Sequence, residues 1–325
     1  MRHGRGAAAL LAAAACLLCL APGCAPQPVT RQSFALDTLV SVTLYDPADA
    51  DLPERCFALI REKEALLSKT VPGSDVWNVN HAQGRPTEVA EETARLLTLA
   101  LECSRISGGA FDVTVAPVSA LWDFTAETPA LPEEAAVQEA RTHVDYTGVR
   151  IEGSTVTLAD PQAGIDLGAI AKGYIADCVC AFLREQGVRS ALVDLGGNIA
   201  AVGDKAGAAF RIGVRDPEQA QGVVGIVPAR DTAVVTSGDY ERCFVLDGVR
   251  YHHLLDPRTG YPARSGLRSV TVTGADSAWC DALATACYVL GAQQGMALIE
   301  ATDGVQALFV TEDGKLLCTS GLILE

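Results

Sequence analysis

The first half of the chain alternates between short runs of strand-like and helix-like spacing. Residues 33–45 alternate between apolar and polar, which predicts a strand with one buried face. Apolar residues recur at helical spacing over residues 53–67 and predict an amphipathic helix, whereas the turn formers at 67–80 predict a loop. Thr87 is the predicted N-cap of a helix that runs to Ile106, followed by a short strand at 113–115 and a more polar helix at 132–141.

The second half of the chain is rich in predicted strands. Residues 149–158 predict a hairpin that turns at Gly153, and residues 190–202 predict an apolar strand interrupted by Gly196 and Gly197. Two helices are predicted at 172–186, closed by Gly187, and at 278–290, capped by Asp276 or Ser277. Further strands are predicted at 210–214, 222–227, 233–235 and 267–273. We expect an α+β fold with mixed, largely antiparallel sheets flanked by helices.

The N-terminus has the pattern of an export signal. Arg2 and Arg5 precede an apolar run at residues 7–21, which is short for a mature membrane-spanning helix. The run leads to Cys24, and this junction resembles the cleavage site of a bacterial lipoprotein, although Pro22 departs from the small residue preferred there. We expect a signal peptide at 1–23, a lipidated tether at 24–32 and a folded domain at 33–325. The exported protein would then be anchored to the outer face of the cell membrane through Cys24.

Composition and charge narrow the classes of function. The chain has 325 residues, of which 49% are hydrophobic and 20% charged, a globular composition long enough to bury a sizeable core. Its formal net charge of -15 argues against a nucleic-acid partner, because such proteins present basic faces. Of its 11 cysteines, Cys16 and Cys19 lie in the expected signal peptide and Cys24 would carry the lipid, and the other eight are expected to be mostly buried and free.

Residues 165–177 combine a carboxylate, glycines and a lysine within one turn. Asp166 is followed by Gly168, which lets the backbone approach a ligand, and Lys172 and Gly173 open a predicted helix. Helix starts bind anions because their first amide groups lack partners within the helix. The segment therefore predicts a phosphate or metal site, with a plain strand-turn-helix junction as the alternative.

Two further segments carry chemistry. Residues 251–262 place two histidines, an acid and an arginine beside two prolines, a density of titratable groups typical of an active site, although a hairpin loop with a solvated histidine is the alternative. Asp281 and Thr285 share a helix face at i, i+4 and offer the hard oxygen ligands that magnesium takes. Capping or bonding back to the helix is the alternative role of Thr285.

Taken together, five motifs resemble the ApbE family, the FAD:protein FMN transferases, over residues 33–322. In chain order they are Asp-Leu-Gly-Ala-Ile-Ala-Lys-Gly (166–173), Leu-Gly-Gly-Asn (195–198), Thr-Ser-Gly-Asp-Tyr (236–240), His-Leu-Leu-Asp-Pro-Arg-Thr-Gly (253–260) and Asp-Ala-Leu-Ala-Thr (281–285). The resemblance implies a T-fold-related architecture with FAD in a cleft between two halves. It also implies a magnesium-dependent reaction that splits FAD, moves FMN onto a threonine hydroxyl of an acceptor flavoprotein and releases AMP.

The resemblance also implies a role for individual residues. Magnesium would be bound by Asp281, Thr285 and the backbone carbonyl of Ala169. His253 would be the base, with Asp256 orienting it or acting in its place. Thr70 falls where some members have a tyrosine that stacks on the flavin, and Trp77 is expected to supply a ring instead. The expected FAD contacts are Leu36, Thr70, Ala110, Phe111, Asp112, Asp166, Lys172 and Leu255.

Two other functions stay open on the sequence alone. Some family members mainly hydrolyse FAD to FMN and AMP, with water in place of the threonine. The second alternative is a different class of function, in which an exported lipoprotein binds and delivers flavin without catalysis. Such a carrier has no need of the magnesium ligands. The acceptor implied by the resemblance is a membrane redox subunit or extracellular flavoprotein with an Asp-x-x-(Ser/Thr)-x-(Ala/Ser)-Thr-like motif.

Overall fold

A computed structural model describes residues 27–46, 48–219 and 221–325. The expected signal peptide and the Cys24 lipidation site lie outside these residues. The expected tether overlaps the first strand, which begins at Val29. The helices are α1 (Leu52–Leu67), α2 (Asp75–His81), α3 (Glu91–Ile106), α4 (Ala116–Ser119), α5 (Glu134–Arg141), α6 (Ala171–Glu185) and α7 (Ser277–Glu300), with a 3-10 turn at Tyr146–Gly148.

Seventeen strands are described. They are β1 (Val29–Ala35), β2 (Thr38–Leu44), β3 (Thr87–Glu88), β4 (Val149–Glu152), β5 (Thr155–Leu158), β6 (Ser190–Leu195), β7 (Asn198–Gly203), β8 (Phe210–Arg215), β9 (Val223–Ala229), β10 (Ala233–Gly238), β11 (Cys243–Leu246), β12 (Val249–His252), β13 (Leu255–Asp256), β14 (Tyr261–Pro262), β15 (Leu267–Gly274), β16 (Val305–Thr311) and β17 (Leu316–Cys318). Eight of them form the main sheet in the order β1-β2-β6-β7-β10-β15-β16-β17.

Every neighbouring pair in this sheet is antiparallel. The expected α+β fold with largely antiparallel sheets is confirmed. One face of the sheet packs on α1, α6 and α7 in the main hydrophobic core, and the other packs on the β8–β9 hairpin in a second core. Helices on one face of an antiparallel sheet are the usual α+β arrangement, because each amphipathic layer then buries its apolar side.

Helix α7 is apolar on all sides, as expected of a helix that is buried in the main core. It is long and apolar enough to cross a membrane by length and composition, yet it packs on the sheet and against α6 and α3 in the main core. The predicted cap is confirmed, since the Asp276 side chain accepts a hydrogen bond from Trp279 N at 2.7 Å. At Gly291 the backbone leaves the helical region (φ 79°), where the sequence predicts the helix end, and helical structure then resumes to Glu300.

Two hairpins were predicted as single strands. Residues 33–45 form β1 and β2 around Leu36 and Asp37, whose φ values of 56° and 55° give a left-handed two-residue turn. Residues 190–202 likewise form β6 and β7 around Gly196 and Gly197. A leucine rarely occupies a left-handed turn position, so the first turn carries no sequence signal.

Three local predictions were wrong. The loop predicted at 67–80 contains α2, whose N-cap Ser74 accepts a hydrogen bond from Trp77 N at 3.1 Å. Thr87 lies in β3 and Ala90 is the N-cap of α3. Residues 113–115 form a turn, where Val115 bridges Gly164, because Asp112 Oδ1 accepts from both the amide and the hydroxyl of Thr114. By contrast, all eight cysteines of the described residues are free and five of them are buried, as predicted.

The start of α6 crosses the start of α7 at Gly173. A Cβ at this position would lie 2.2 Å from the backbone oxygen of Ser277, so only glycine fits the crossing. Gly173 N donates to Asp281 Oδ2 at 2.9 Å. Asp177, four residues later, accepts from Ser277 N at 3.0 Å and Ala278 N at 2.9 Å, and burial raises its pKa to about 6.

We expect Gly173→Ala to lower the free energy of unfolding by at least about 2 kcal/mol, because the clash is with backbone that cannot rotate away. Urea denaturation measures the change. Gly148→Ala is the matched control, since its Cβ would meet only Ala159 at an ordinary 3.6 Å. Equal unfolding midpoints for the two variants would contradict the close crossing.

Candidate active site

A cleft of about 1010 Å³ is lined by the β1–β2 turn, the C-terminal end of α1, the starts of α6 and α7, and the loops at 110–125 and 253–257. Its size suits a dinucleotide, since drug-sized ligands occupy roughly 300–1,000 Å³. Twelve of the thirteen site residues predicted from the sequence line it, and Asp256 does not. The twelve are Leu36, Thr70, Ala110, Phe111, Asp112, Asp166, Ala169, Lys172, His253, Leu255, Asp281 and Thr285.

Asp281 and Lys172 form the charged floor of the cleft. Asp281 is 2% exposed, and its Oδ1 atom has Lys172 Nζ at 3.9 Å, beyond hydrogen-bond distance. The side chain is buried as a whole, but this oxygen faces the cleft without a hydrogen-bond donor among the described residues and is free to accept a cation. Ile170, the N-cap of α6, makes no side-chain capping bond, and the N-terminal end of the helix dipole adds positive potential beside Lys172.

The oxygens around Asp281 fit a magnesium ion. Thr285 lies one turn along α7, and its hydroxyl is 3.2 Å from the hydroxyl of Ser237 at the end of β10. Ala169 lines the same region just before α6. The described residues contain no cluster of three or more His, Cys, Asp or Glu side chains suited to a metal. Magnesium is usually held by one or two carboxylates together with substrate phosphates, so this sparse hard-oxygen set fits it.

Lys69 is a cleft residue that the sequence analysis missed. Its Nζ donates to Asp166 Oδ2 at 2.6 Å and to Ser119 Oγ at 2.7 Å, and Ser119 Oγ donates to the same carboxylate oxygen at 2.8 Å. Burial acts to raise the pKa of Asp166, but the charge of Lys69 and these hydrogen bonds hold it below its usual range. Asp166 is thus ionised and paired. Lys69 lies in the predicted 67–80 loop, whose pattern gives no sign of this pairing.

Asp112 supports the wall of the cleft. Its Oδ1 accepts from Thr114, and its Oδ2 accepts from Tyr146 N at 3.2 Å, while burial raises its pKa. These bonds fix the turn that carries the buried residues Ala110 and Phe111 into the cleft lining.

His253 is held in the cleft in its neutral form. Its backbone N donates to Arg242 O at 3.0 Å, and its Nδ1 is buried without a hydrogen-bond partner among the described residues. Burial, followed by the charges of Lys172 and Arg242, lowers its pKa to about 3. The imidazole therefore has a free lone pair at neutral pH.

The expected pairing of Asp256 with His253 is corrected by the structure. Asp256 lies outside the cleft lining, and its carboxylate binds Arg258, with Nε at 2.9 Å and Nη2 at 3.1 Å. It also accepts from Arg258 N at 3.0 Å. Because both oxygens serve this turn, Asp256 is not placed to orient the histidine.

Glu241 is a second residue missed from the sequence. It lines the cleft in the field of Lys172 and Asp281, and burial raises the pKa of its carboxyl. Its neighbour Arg242 donates from Nη2 to Leu36 O at 3.2 Å, while Leu36 N donates to Glu64 Oε1 at 2.9 Å. The left-handed turn of Leu36 is thereby tied to the walls of the cleft on both sides.

Aromatic rings line the cleft, but Trp77 is not among them. Trp77 stacks on His81 with ring centroids 3.9 Å apart and lies outside the lining, so the expectation that it replaces the tyrosine missing at Thr70 is wrong. Trp122 and Phe124 line the cleft instead, with parallel rings 5.4 Å apart, and Trp122 Nε1 donates to Gly260 O at 3.1 Å.

We expect the imidazoles of His252 and His253 to stay neutral between pH 8 and pH 5 in the ligand-free protein, since burial lowers their pKa values to about 4 and about 3. His143 should titrate above its ordinary value, because the hydrogen bond that its imidazole donates to Asp160 raises its pKa. Proton NMR of the imidazole signals checks this, with His253→Gln as the assignment control.

The linked effect on stability follows from the sign of the shifts. A histidine whose folded pKa lies below its unfolded pKa stabilises the protein above about pH 6.5, and this contribution is lost as the pH falls. A His253 signal that titrates near pH 6.5 would contradict its burial.

Comparison with known proteins agrees with this geometry. The model of the ApbE family matches residues 36–309. The FAD:protein FMN transferase of Treponema pallidum (strain Nichols) is 37% identical over 334 aligned positions, which cover 95% of this chain and 92% of that protein. That of Klebsiella pneumoniae (strain 342) is 37% identical over 276 positions, covering 84% and 86%.

Two solved structures share the fold. The ApbE protein of Thermotoga maritima superposes with a TM-score of 0.84 at 34% identity, over 90% of this chain and 97% of that one. The flavin transferase ApbE of Vibrio cholerae gives a TM-score of 0.81 at 30% identity, with the same coverage. The cleft, its motifs and these relatives agree, and the chain belongs to the ApbE family.

Proposed function

We propose that this protein transfers FMN from FAD to a threonine hydroxyl of an acceptor flavoprotein and releases AMP, with magnesium as the required ion. The observation that carries the proposal is the buried Asp281 beside Thr285 and Lys172, at the floor of a cleft large enough for a dinucleotide. A flavin carrier has no need of a carboxylate whose free oxygen faces the cleft as a ligand for magnesium. The relatives named FAD:protein FMN transferase support the same reaction.

The residues of the cleft divide the work between binding and charge. Lys172, at the positive N-terminal end of α6, holds the pyrophosphate, and the half-buried ring of Phe124, stacked on the buried Trp122, offers apolar surface for a planar group. Asp281, Thr285 and the carbonyl of Ala169 would hold the ion. When bound, magnesium supplies neutralisation of the charge that builds on the pyrophosphate oxygens.

The transfer is a substitution at phosphorus. The threonine oxygen forms a bond to the phosphorus of the FMN half, and the bond from that phosphorus to the bridging oxygen breaks. AMP leaves with the bridging oxygen and its electron pair, while the hydroxyl proton passes to a base. Positioning and electrostatics supply most of the rate in such reactions.

His253 is the base in this proposal. Its neutral imidazole has a free lone pair, and the negative charge of a bound pyrophosphate would raise its pKa from the low value set by Lys172 and Arg242. Asp256 takes no part, because its carboxylate is bound to Arg258.

The protein is proposed to act outside the inner membrane, tethered by a lipid on Cys24. The first strand begins at Val29, so the five residues 24–28 would span at most about 18 Å when extended. A domain held this close to the bilayer suits an acceptor that is itself membrane-bound or extracellular.

Asp281→Asn should reduce transfer by more than about 100-fold, because it removes the negative charge opposite the ion while keeping an oxygen for Gly173 N. The assay incubates the protein with FAD, magnesium and a domain bearing the threonine motif, and follows AMP and the mass of the acceptor. EDTA should abolish the wild-type reaction. Asp313→Asn, which breaks only an exposed pair with Lys315, is the control.

The outcomes of this assay separate the candidate functions. A gain of one FMN by the acceptor, lost with EDTA, establishes the transferase. AMP and free FMN without labelling would show a hydrolase, and intact bound FAD would leave only a carrier.

His253→Ala should abolish transfer while FAD still binds, since the imidazole serves the proton and not the phosphates. The transfer rate of Asp256→Asn should stay within about tenfold of the wild-type rate, because the substitution affects only the turn in which Asp256 binds Arg258. Quenching of flavin fluorescence measures binding, and AMP release measures turnover. Full activity in His253→Ala would sink the assignment of the base.

A further inference from the structure

One end of the cleft extends beyond the residues that the proposed chemistry uses. It passes the β6–β7 turn at Gly196 and Gly197 and reaches the face of the sheet on which β8 and β9 pack. There it is lined by Leu39 of β2, Ile199 of β7 and Gly213 of β8. This outer end is continuous with the site of the ion and the pyrophosphate.

The rim of the outer end is an exposed apolar pair. Phe34 of β1 lies directly opposite Leu39 of β2 in the hairpin register, and cross-strand partners lie on the same face. Phe34 is 72% exposed, the most of any large apolar side chain in the described residues, and Leu39 is 57% exposed. Tyr45, on the same face of β2 by alternation, packs on Phe210, so the second core ends before it reaches this pair.

This lip, defined as Phe34 and Leu39, is held rigidly. The turn that joins their strands is left-handed at Leu36 and Asp37, and Leu36 is bonded at both its N and O atoms by Glu64 and Arg242. Thr38 fits against Gly196, where a Cβ would come within 2.5 Å of its side chain. A rigid apolar surface loses little freedom when a partner binds, which favours its use in recognition.

We propose that the lip and the outer end of the cleft are the docking surface for the acceptor polypeptide, which enters here with its threonine directed toward Asp281. The inference rests on the proposed function, since only transfer to a protein requires such a partner. On the proposed function FAD would occupy the inner cleft, so the acceptor would have to approach through an opening that remains continuous with the reacting phosphates. The partner's chemistry is an extended segment that flanks the threonine with apolar side chains, to match Phe34 and Leu39.

The test compares the purified full chain with a Phe34→Ser/Leu39→Ser variant. The probe is a soluble domain that carries the Asp-x-x-(Ser/Thr)-x-(Ala/Ser)-Thr motif. We expect the KM for this domain to rise by about tenfold or more with kcat nearly unchanged, the fold-change typical of losing an apolar anchor at an interface. FAD affinity, measured by flavin fluorescence, should match wild type. The rate of AMP release by hydrolysis of FAD without acceptor should also match wild type, because neither step needs the acceptor.

The matched control is Leu316→Ser/Ile323→Ser. It removes two apolar side chains, 40% and 65% exposed, at and just after β17, the strand at the opposite end of the main sheet. Its KM for the acceptor should stay at the wild-type value. Equal thermal midpoints for the three proteins exclude misfolding as the cause of any difference.

Each other result overturns the proposal. An unchanged KM in the lip variant, with normal transfer by wild type, shows that the acceptor docks elsewhere. A wild-type dimer that becomes monomeric in the variant assigns the lip to a second copy of the chain, and loss of sedimentation with phosphatidylglycerol vesicles assigns it to the membrane. If wild-type protein labels no acceptor at all, the proposed function itself has failed. The measurements of FAD binding and AMP release then show whether the protein is a hydrolase or a carrier.

Discussion

The site depends on the close crossing of two helix N-termini. Gly173 lets α6 touch the backbone of α7 at Ser277, and the hydrogen bond from Gly173 N to Asp281 ties the two helices at that point. Asp177 adds two further bonds to the first amides of α7. Because both helices also pack on the sheet in the main core, Lys172 and Asp281 are placed by rigid elements and not by loops.

Charge inside the cleft is balanced in separate pairs. Lys69 neutralises Asp166 through direct contact, whereas Lys172 stands 3.9 Å from Asp281 and leaves one carboxylate oxygen without a close donor. Burial, together with the positive charges of Lys172 and Arg242, lowers the pKa of His253 and keeps it unprotonated. A cation at Asp281 and an anion beside Lys172 would complete this arrangement together, which is how a protein of net charge -15 would hold a pyrophosphate in the proposed function.

The N-terminal half supplies the walls around this charged floor. The β1–β2 turn, the residues around Lys69 and the rings of Trp122 and Phe124 all face the cleft from elements that precede α6 in the chain. The floor comes from α6, α7 and the end of β10. A substrate that spans the cleft therefore touches both halves, in keeping with the continuous match of the family model over residues 36–309.

The sequence by itself determined the local elements and the residues of the floor. Helices α1, α6 and the first part of α7, and the β4–β5 hairpin, follow from apolar periodicity, capping and glycine, which are properties of neighbouring residues. Motifs at 166–173 and 281–285 named Asp166, Lys172, Asp281 and Thr285, because a ligand needs specific groups at short spacing.

Only the tertiary structure decided which distant groups meet. Lys69 pairs with Asp166 across 97 positions, Asp256 is taken by Arg258, and Trp122 and Phe124 face the cleft while Trp77 stacks on His81. The left-handed turn at Leu36 exists because Glu64 and Arg242 bind its backbone, a constraint that no local pattern encodes. Such pairings depend on how helices and strands pack, so the spacing of residues along the chain cannot specify them.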